Sequence, residues 1–191
     1  MDLLDHLSTD EIKSLLQERL AAVDLTTNED ARVDAFEKVS PSVAFISTGT
    51  NAQMQGFPMG AGSGFVWDTD GHIVTNYHVV AGGRRQRSST VPRQVMVKLQ
   101  GHDVSVKAVV VGYEADKDLA VLKVDPSTLP PLRPVRTSPS SDLKVGQSVL
   151  AIGAPFGLDW TLTSGIVSAI GRDIDGAGGR PIRDCIQTDA A

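Results

Sequence analysis

From Val43 onward the chain is written in short β-branched and aliphatic runs: VAFIST, GFVW, HIVTN, QVMVKL, VSVKAVVVGY, LAVLKV, SVLAIG, TLTSGIVSAI and DCIQT. Gly, Asp and Pro punctuate these runs, and no amphipathic helical stretch separates one from the next. The pattern predicts an all-β antiparallel barrel or sandwich and argues against βαβ units. DTDG, between FVW and HIV, puts Gly at the last position of a tight turn and predicts a hairpin over residues 65–75. QGHD plays the same part between VMVKL and VSVKA.

Before Val43 the period lengthens. Ser8 followed by Glu11 fits a capping box, and Ile12, Leu15, Leu16, Leu20 and Val23 recur at helical spacing, which predicts a helix over 9–23. TTNED breaks that pattern. ARVDAFEKV, with Val33, Phe36 and Val39 on one side, then predicts a second short helix stopped by Ser40 and Pro41. Residues 1–40 read as a helical segment appended to the strands.

The run DPSTLPPLRPVRTSPSSD carries five prolines and marks a boundary. On its N-terminal side about six strands are enough to close a small barrel over 41–125. Residues 126–141 form the linker. Over 142–191 only about three or four strands remain, too few for a matching barrel, so this half is expected to be a partial barrel lacking its last strands, with open edges and an uncovered apolar face.

Composition narrows the function classes. A length of 191 residues suits one domain with a real core or two small subdomains sharing one, and 41% hydrophobic with 21% charged residues favours neither a disordered chain nor a membrane protein. No stretch approaches the ~20 apolar residues of a membrane span. With 18 Lys and Arg against 23 Asp and Glu, the formal charge of -5 offers no basic excess for a nucleic-acid partner. Arg84, Arg85 and Arg87 stand among Gly and Ser and read as a solvated loop. The single cysteine, Cys185, excludes an intrachain disulfide and reads as a small, half-buried strand residue. His6, His72 and His102 have no metal-ligand spacing and read as exposed polar residues, so neither a metal nor another cofactor is implied. MDLLDHLSTDEIKSLL has the form of neither a signal peptide nor a transit peptide, which is equally compatible with a cytoplasmic protein, a mature form or an N-terminally incomplete sequence.

Two residues stand out chemically. His78 follows the strand HIVTN in TNYHVVAGG, where a side chain can face a cleft, although a histidine satisfied at a strand end has the same look. Asp118 opens the apolar strand of GYEADKDLAVLKV, where a turn residue would also sit, and Asp116 has an equal claim. As a pair they fit a template in which a histidine general base is oriented by a carboxylate and a serine follows in the chain.

The stretches GSGFVWDTDGHIVTNYHVV, VVGYEADKDLAVLKV, SDLKVGQSVLAIGAPFGLDWTLTSGIVSAIGR and RPIRDCIQTDAA, in that order, resemble the HtrA/Deg serine proteases, above all their chloroplast and cyanobacterial members. The resemblance spans residues 36–191. It implies a trypsin-like double antiparallel β-barrel, here with the second barrel incomplete and with N-terminal helices. It makes His78 the general base and Asp118 the carboxylate that orients it. The family's nucleophile sits in a GNSGGP loop just after QTDAA, where backbone amides form the oxyanion hole. The 191 residues contain neither, so a C-terminally truncated chain, inactive alone, is the expectation. Ser63, at the family's strand-entry GSG, and Ser164, on a core strand, lack Gly-rich donors around them and are not substitutes. Two departures are a long GGRRQRSSTVPRQ link after the His loop and Ala154 where the family generally has Asn; the PDZ domain of many members is also absent from these residues.

The function implied is ATP-independent endoproteolysis in protein quality control, with unfolded or damaged proteins as substrates. The alternative is a non-catalytic pseudo-protease subunit that binds protein partners or intact paralogues. The resemblance also implies homo- or hetero-trimers through segments near Phe36, against the plainer reading that the N-terminal helices pack on their own barrel. The compartments it implies are a plastid, the thylakoid lumen or a bacterial periplasm.

Overall fold

Alternation decides which side chains the strands turn inward. The computed structural model describes residues 27–48, 60–81, 91–155, 159–176 and 181–190. The helix expected over 9–23, its Ser8 and Glu11 cap, His6 and the Arg84, Arg85 and Arg87 cluster lie outside the described residues. The chain divides into two units, Met1–Ala35 and Phe36–Ala191.

Helix α1 runs Thr27–Val39, beginning four residues before the expected ARVDAFEKV, because TNED forms its first turn rather than a break. Glu29 and Asp30 in that turn and Lys38 in the last complement the helix dipole, a signal that hydrophobic spacing does not register. Ser40–Ser42 then form a single 3-10 turn with Pro41 near its start, and the chain enters the sheet.

Six strands, β1 Val43–Ser47, β2 Ala61–Val66, β3 His72–Thr75, β4 Gln94–Leu99, β5 Val106–Glu114 and β6 Leu119–Val124, close an antiparallel barrel in the order β1-β2-β3-β6-β5-β4. Every second residue points inward, so Ala44 and Ile46, Ile73 and Thr75, Val95, Val97 and Leu99, and Ala120, Leu122 and Val124 are buried. Small residues such as Ala44, Ala108 and Ala120 share that interior with Ile46, Ile73 and Leu122, which lets side chains fill a narrow barrel. The two hairpins read from DTDG and QGHD are the β2–β3 and β4–β5 pairs. Gly71, at φ +100 in the first of them, lies where a Cβ would come within 2.5 Å of the Val124 carbonyl, so the turn requires glycine.

Strands β7 Ser148–Gly153, β8 Thr161–Asp175 and β9 Pro181–Thr188 form a second antiparallel sheet in the order β7-β8-β9. β8 extends past the expected TLTSGIVSAI into GRDID, and its pairing with β9 slips at several points, with Asp184 in a left-handed conformation at φ 58. Bulges of this kind bend a strand and re-aim its side chains. Val167 is buried, whereas Ile166, Ile170, Ile174 and Ile186 are exposed. Three contacts tie this sheet and the linker to the barrel: Ala154 N–H donates to Ser63 Oγ at 2.9 Å, Trp160 Nε1–H to the Val43 carbonyl at 2.9 Å, and Val135 N–H to the Val66 carbonyl at 3.1 Å. Among the described residues no helix is long and apolar enough to cross a membrane.

Candidate functional site

Strand β3 pairs with β6 so that Thr75 faces Ala120, and this register brings the residues after β3 and those before β6 to one end of the barrel. After Thr75 the chain turns into a single helical turn, α2 Tyr77–Val80, rather than directly into a loop. Val79 and Val80 are buried and anchor it. A Cβ on Gly62 would meet Val79 Cγ2 at 2.5 Å, so glycine at that point of β2 is what allows the turn to seat. With its two valines inside, the turn presents His78 outward.

The facing element is the 3-10 turn Ala115–Lys117, which ends in Asp118 at φ 54, ψ 41, the left-handed region. Asp118 reaches across 40 positions of sequence to grip His78 twice: the His78 backbone N–H donates to Oδ1 at 2.9 Å, and the ring Nδ1 lies 2.7 Å from Oδ2. The carboxylate is 14% exposed and the imidazole 44%, so the pair is shielded on the Asp side and more open on the His side. An ionised carboxylate accepts only, which assigns the proton to Nδ1 and leaves Nε2 as the ring's acceptor. Asp116, the other carboxylate with a claim from the sequence, is an exposed residue within the 3-10 turn, whereas it is Asp118 that holds the His78 ring nitrogen.

No serine hydroxyl is hydrogen-bonded to His78 among the described residues. Ser63 is committed elsewhere: its Oγ takes the Ala154 N–H and its carbonyl takes the Thr75 hydroxyl at 2.8 Å. Ala154 itself is fully buried, so the small side chain at this departure from the family pattern fits a closed joint. Ser164 is an exposed residue of β8 paired with Leu150. Cys185 is half-buried on β9, with its thiol near the Ile182 carbonyl at 3.6 Å. Strand β9 packs against the turn Ala115–Lys117, and beyond it the Asp189 carboxylate takes the Ile166 N–H at 2.7 Å. The end of the described chain is thereby pinned to β8.

Two interactions escaped the sequence reading. Asn76 Nδ2 donates to the Asp118 carbonyl at 3.1 Å, across 42 positions that no local sequence pattern connects. His72, expected to be an exposed polar residue in a turn, is instead the first residue of β3, half-buried, with its Nδ1 2.6 Å from Asp68 Oδ2 and its N–H on Asp68 Oδ1 at 3.0 Å. Turn geometry explains the correction, because DTDG folds Asp68 back onto the strand it opens. His102, also expected to be an exposed polar residue, is likewise half-buried, with Nε2 3.3 Å from the Thr128 carbonyl. Among the described residues no cluster of three or more metal-ligating side chains occurs.

The Asp68 carboxyl is held below its ordinary value of 3.8, chiefly by the His72 backbone N–H and then by the imidazole. A depressed carboxyl adds stability above its unfolded value and loses it as pH falls through the folded value. The stability gap between wild type and Asp68→Asn, measured as urea midpoints, is therefore expected to be present at pH 6 and to shrink steadily below pH 3.8. A gap independent of pH would remove the carboxylate as its cause.

The profile of the trypsin-like peptidase domain matches residues 62–191. Protease Do-like 1, chloroplastic, from Arabidopsis thaliana is 46% identical over 175 residues, covering 87% of this chain and 37% of that protein. Protease Do-like 5, chloroplastic, from the same plant is 42% identical over 172 residues, covering 84% of this chain and 53% of the relative. The crystal structure of Deg5 superposes with a TM-score of 0.71 at 42% identity, covering 88% of this chain and 77% of that one. The chain thus spans about a third to a half of the length of these two relatives.

Proposed function

The chain belongs to the trypsin-like peptidase family, among its HtrA/Deg proteases, and from that premise we propose that residues 36–191 carry the base and orienting acid of a serine endopeptidase that cleaves unfolded proteins without ATP. The observation that supports this reading is the two-point grip of Asp118 on His78, at 2.9 and 2.7 Å.

In this reading His78 Nε2 takes the proton of the attacking serine hydroxyl as its oxygen bonds to the scissile carbonyl carbon. The imidazolium formed is stabilised by Asp118, which stays ionised, and Nε2 then returns the proton to the leaving amine. The serine is that of the glycine-rich loop following Gln-Thr-Asp-Ala-Ala in the family. Ser63 is not the stand-in in this reading, which its engagement with the Ala154 N–H supports.

The test joins residues 1–191 in frame to the serine-bearing remainder of the chloroplast Do-like 1 protease. The joined protein is expected to digest reduced casein and to react with a fluorophosphonate probe, and His78→Ala is expected to abolish both. Residues 1–191 alone are expected to react with neither. His78-dependent labelling of the 191 residues would contradict the assignment of the nucleophile, and a folded but inactive joined protein would favour the non-catalytic, partner-binding reading.

A further inference from the structure

Asp118 must do two things at once, and its side chain accounts for only one. The carboxylate holds His78, but it does so from a left-handed backbone, a conformation that among the described residues only Asp118 and Asp184 adopt without being glycine. Something must hold that backbone. The Asp118 carbonyl accepts two hydrogen bonds, from the Tyr77 N–H at 3.0 Å and from Asn76 Nδ2 at 3.1 Å. Asn76, Tyr77 and His78 thus grip one residue at both its carbonyl and its carboxylate.

Asn76 stands at the N-cap of α2, where an Asn side chain ordinarily accepts from the helix's own first N–H groups. Here it makes no such cap bond, and its amide is turned instead toward Asp118. We infer that Asn76 is a positioning residue: its side-chain amide locks the Asp118 backbone in the left-handed conformation from which the carboxylate can hold the His78 ring. The inference rests on the reading of His78 and Asp118 as the catalytic pair.

Proton NMR on the 191-residue chain tests it. The His78 Nδ1–H is expected to give a low-field resonance, assigned by its disappearance in Asp118→Ala. Asn76→Asp keeps the size and shape of the side chain but, ionised, cannot donate to a carbonyl, whereas Asn76→Ala removes the amide altogether. Both variants are expected to exchange that proton about fivefold faster than wild type, the factor that corresponds to one ordinary hydrogen bond. Unchanged amide signals from barrel residues such as Ile73 and Leu122 report that the fold is intact. Wild-type exchange in Asn76→Asp would show that the amide donor does not matter and would overturn the inference while leaving the pair standing. No low-field resonance in wild type would overturn the pair as well.

Discussion

Asp118→Asn in the serine-completed protein is expected to lower kcat about 10⁴-fold, roughly 5.5 kcal/mol of transition-state stabilisation, with little loss of folded protein. The reason is directional. The carboxylate can only accept, and it takes both the His78 backbone N–H and the Nδ1 proton. An amide of the same shape must choose. If its oxygen keeps the backbone N–H, its NH₂ faces Nδ1 and favours the tautomer protonated on Nε2, which can no longer accept the serine proton. Stability should be nearly unaffected, because Asn tolerates the left-handed region about as well as Asp. The measurement is steady-state cleavage of a peptide from an unfolded protein, with thermal melting alongside. A loss of less than tenfold would remove Asp118 from the mechanism. The double variant His78→Ala, Asp118→Asn should be scarcely worse than His78→Ala alone, because the two residues act as a unit.

The dyad and the barrel were legible to different degrees, for physical reasons. The nine strand runs could be read because a half-buried strand writes its interior at every second position, as Ile73, Leu122 and their neighbours do. Where the structure does not bury alternate residues, the signal fails. β8 continues through GRDID on backbone pairing and bulges, and α1 begins at Thr27 on polar residues whose only cue is the charge of Glu29 and Asp30. His78 and Asp118 were readable as a pair only because their residue types have a known chemical partnership; Asp116 was an equal candidate until backbone geometry separated the two. Asn76 was not readable, since its partner lies 42 positions away and the bond depends on a left-handed turn that no side-chain pattern encodes. The grip of Asp68 on His72 was closer to the surface of the sequence, four residues apart across a turn already identified.

Leu122→Ala is expected to destabilise the chain by about 3 to 4 kcal/mol, a large share of the roughly 5 to 15 kcal/mol that holds a typical domain together. Leu122 is fully buried and pairs with Ile73 on one side and Val110 on the other, so its loss opens a cavity in the closed part of the barrel, where three hydrogen-bonded strands resist collapse. Leu119, three residues earlier on the same strand, faces outward at 45% exposure, and Leu119→Ala should cost less than about 1 kcal/mol. Urea unfolding read by tryptophan fluorescence separates the two, with the midpoint moving and the slope unchanged if only stability is altered. The cavity matters for chemistry too. β3 ends one residue before Asn76 and β6 begins one residue after Asp118, so the strands flanking Leu122 are the ones that carry the two halves of the dyad. Relaxation of β3 toward β6 would shift the 2.7 Å contact between His78 and Asp118 without touching either residue. The low-field His78 proton should therefore broaden in Leu122→Ala and stay sharp in Leu119→Ala. Equal broadening in both would mean that the turn at Asp118, rather than the barrel beneath it, sets the geometry of the site.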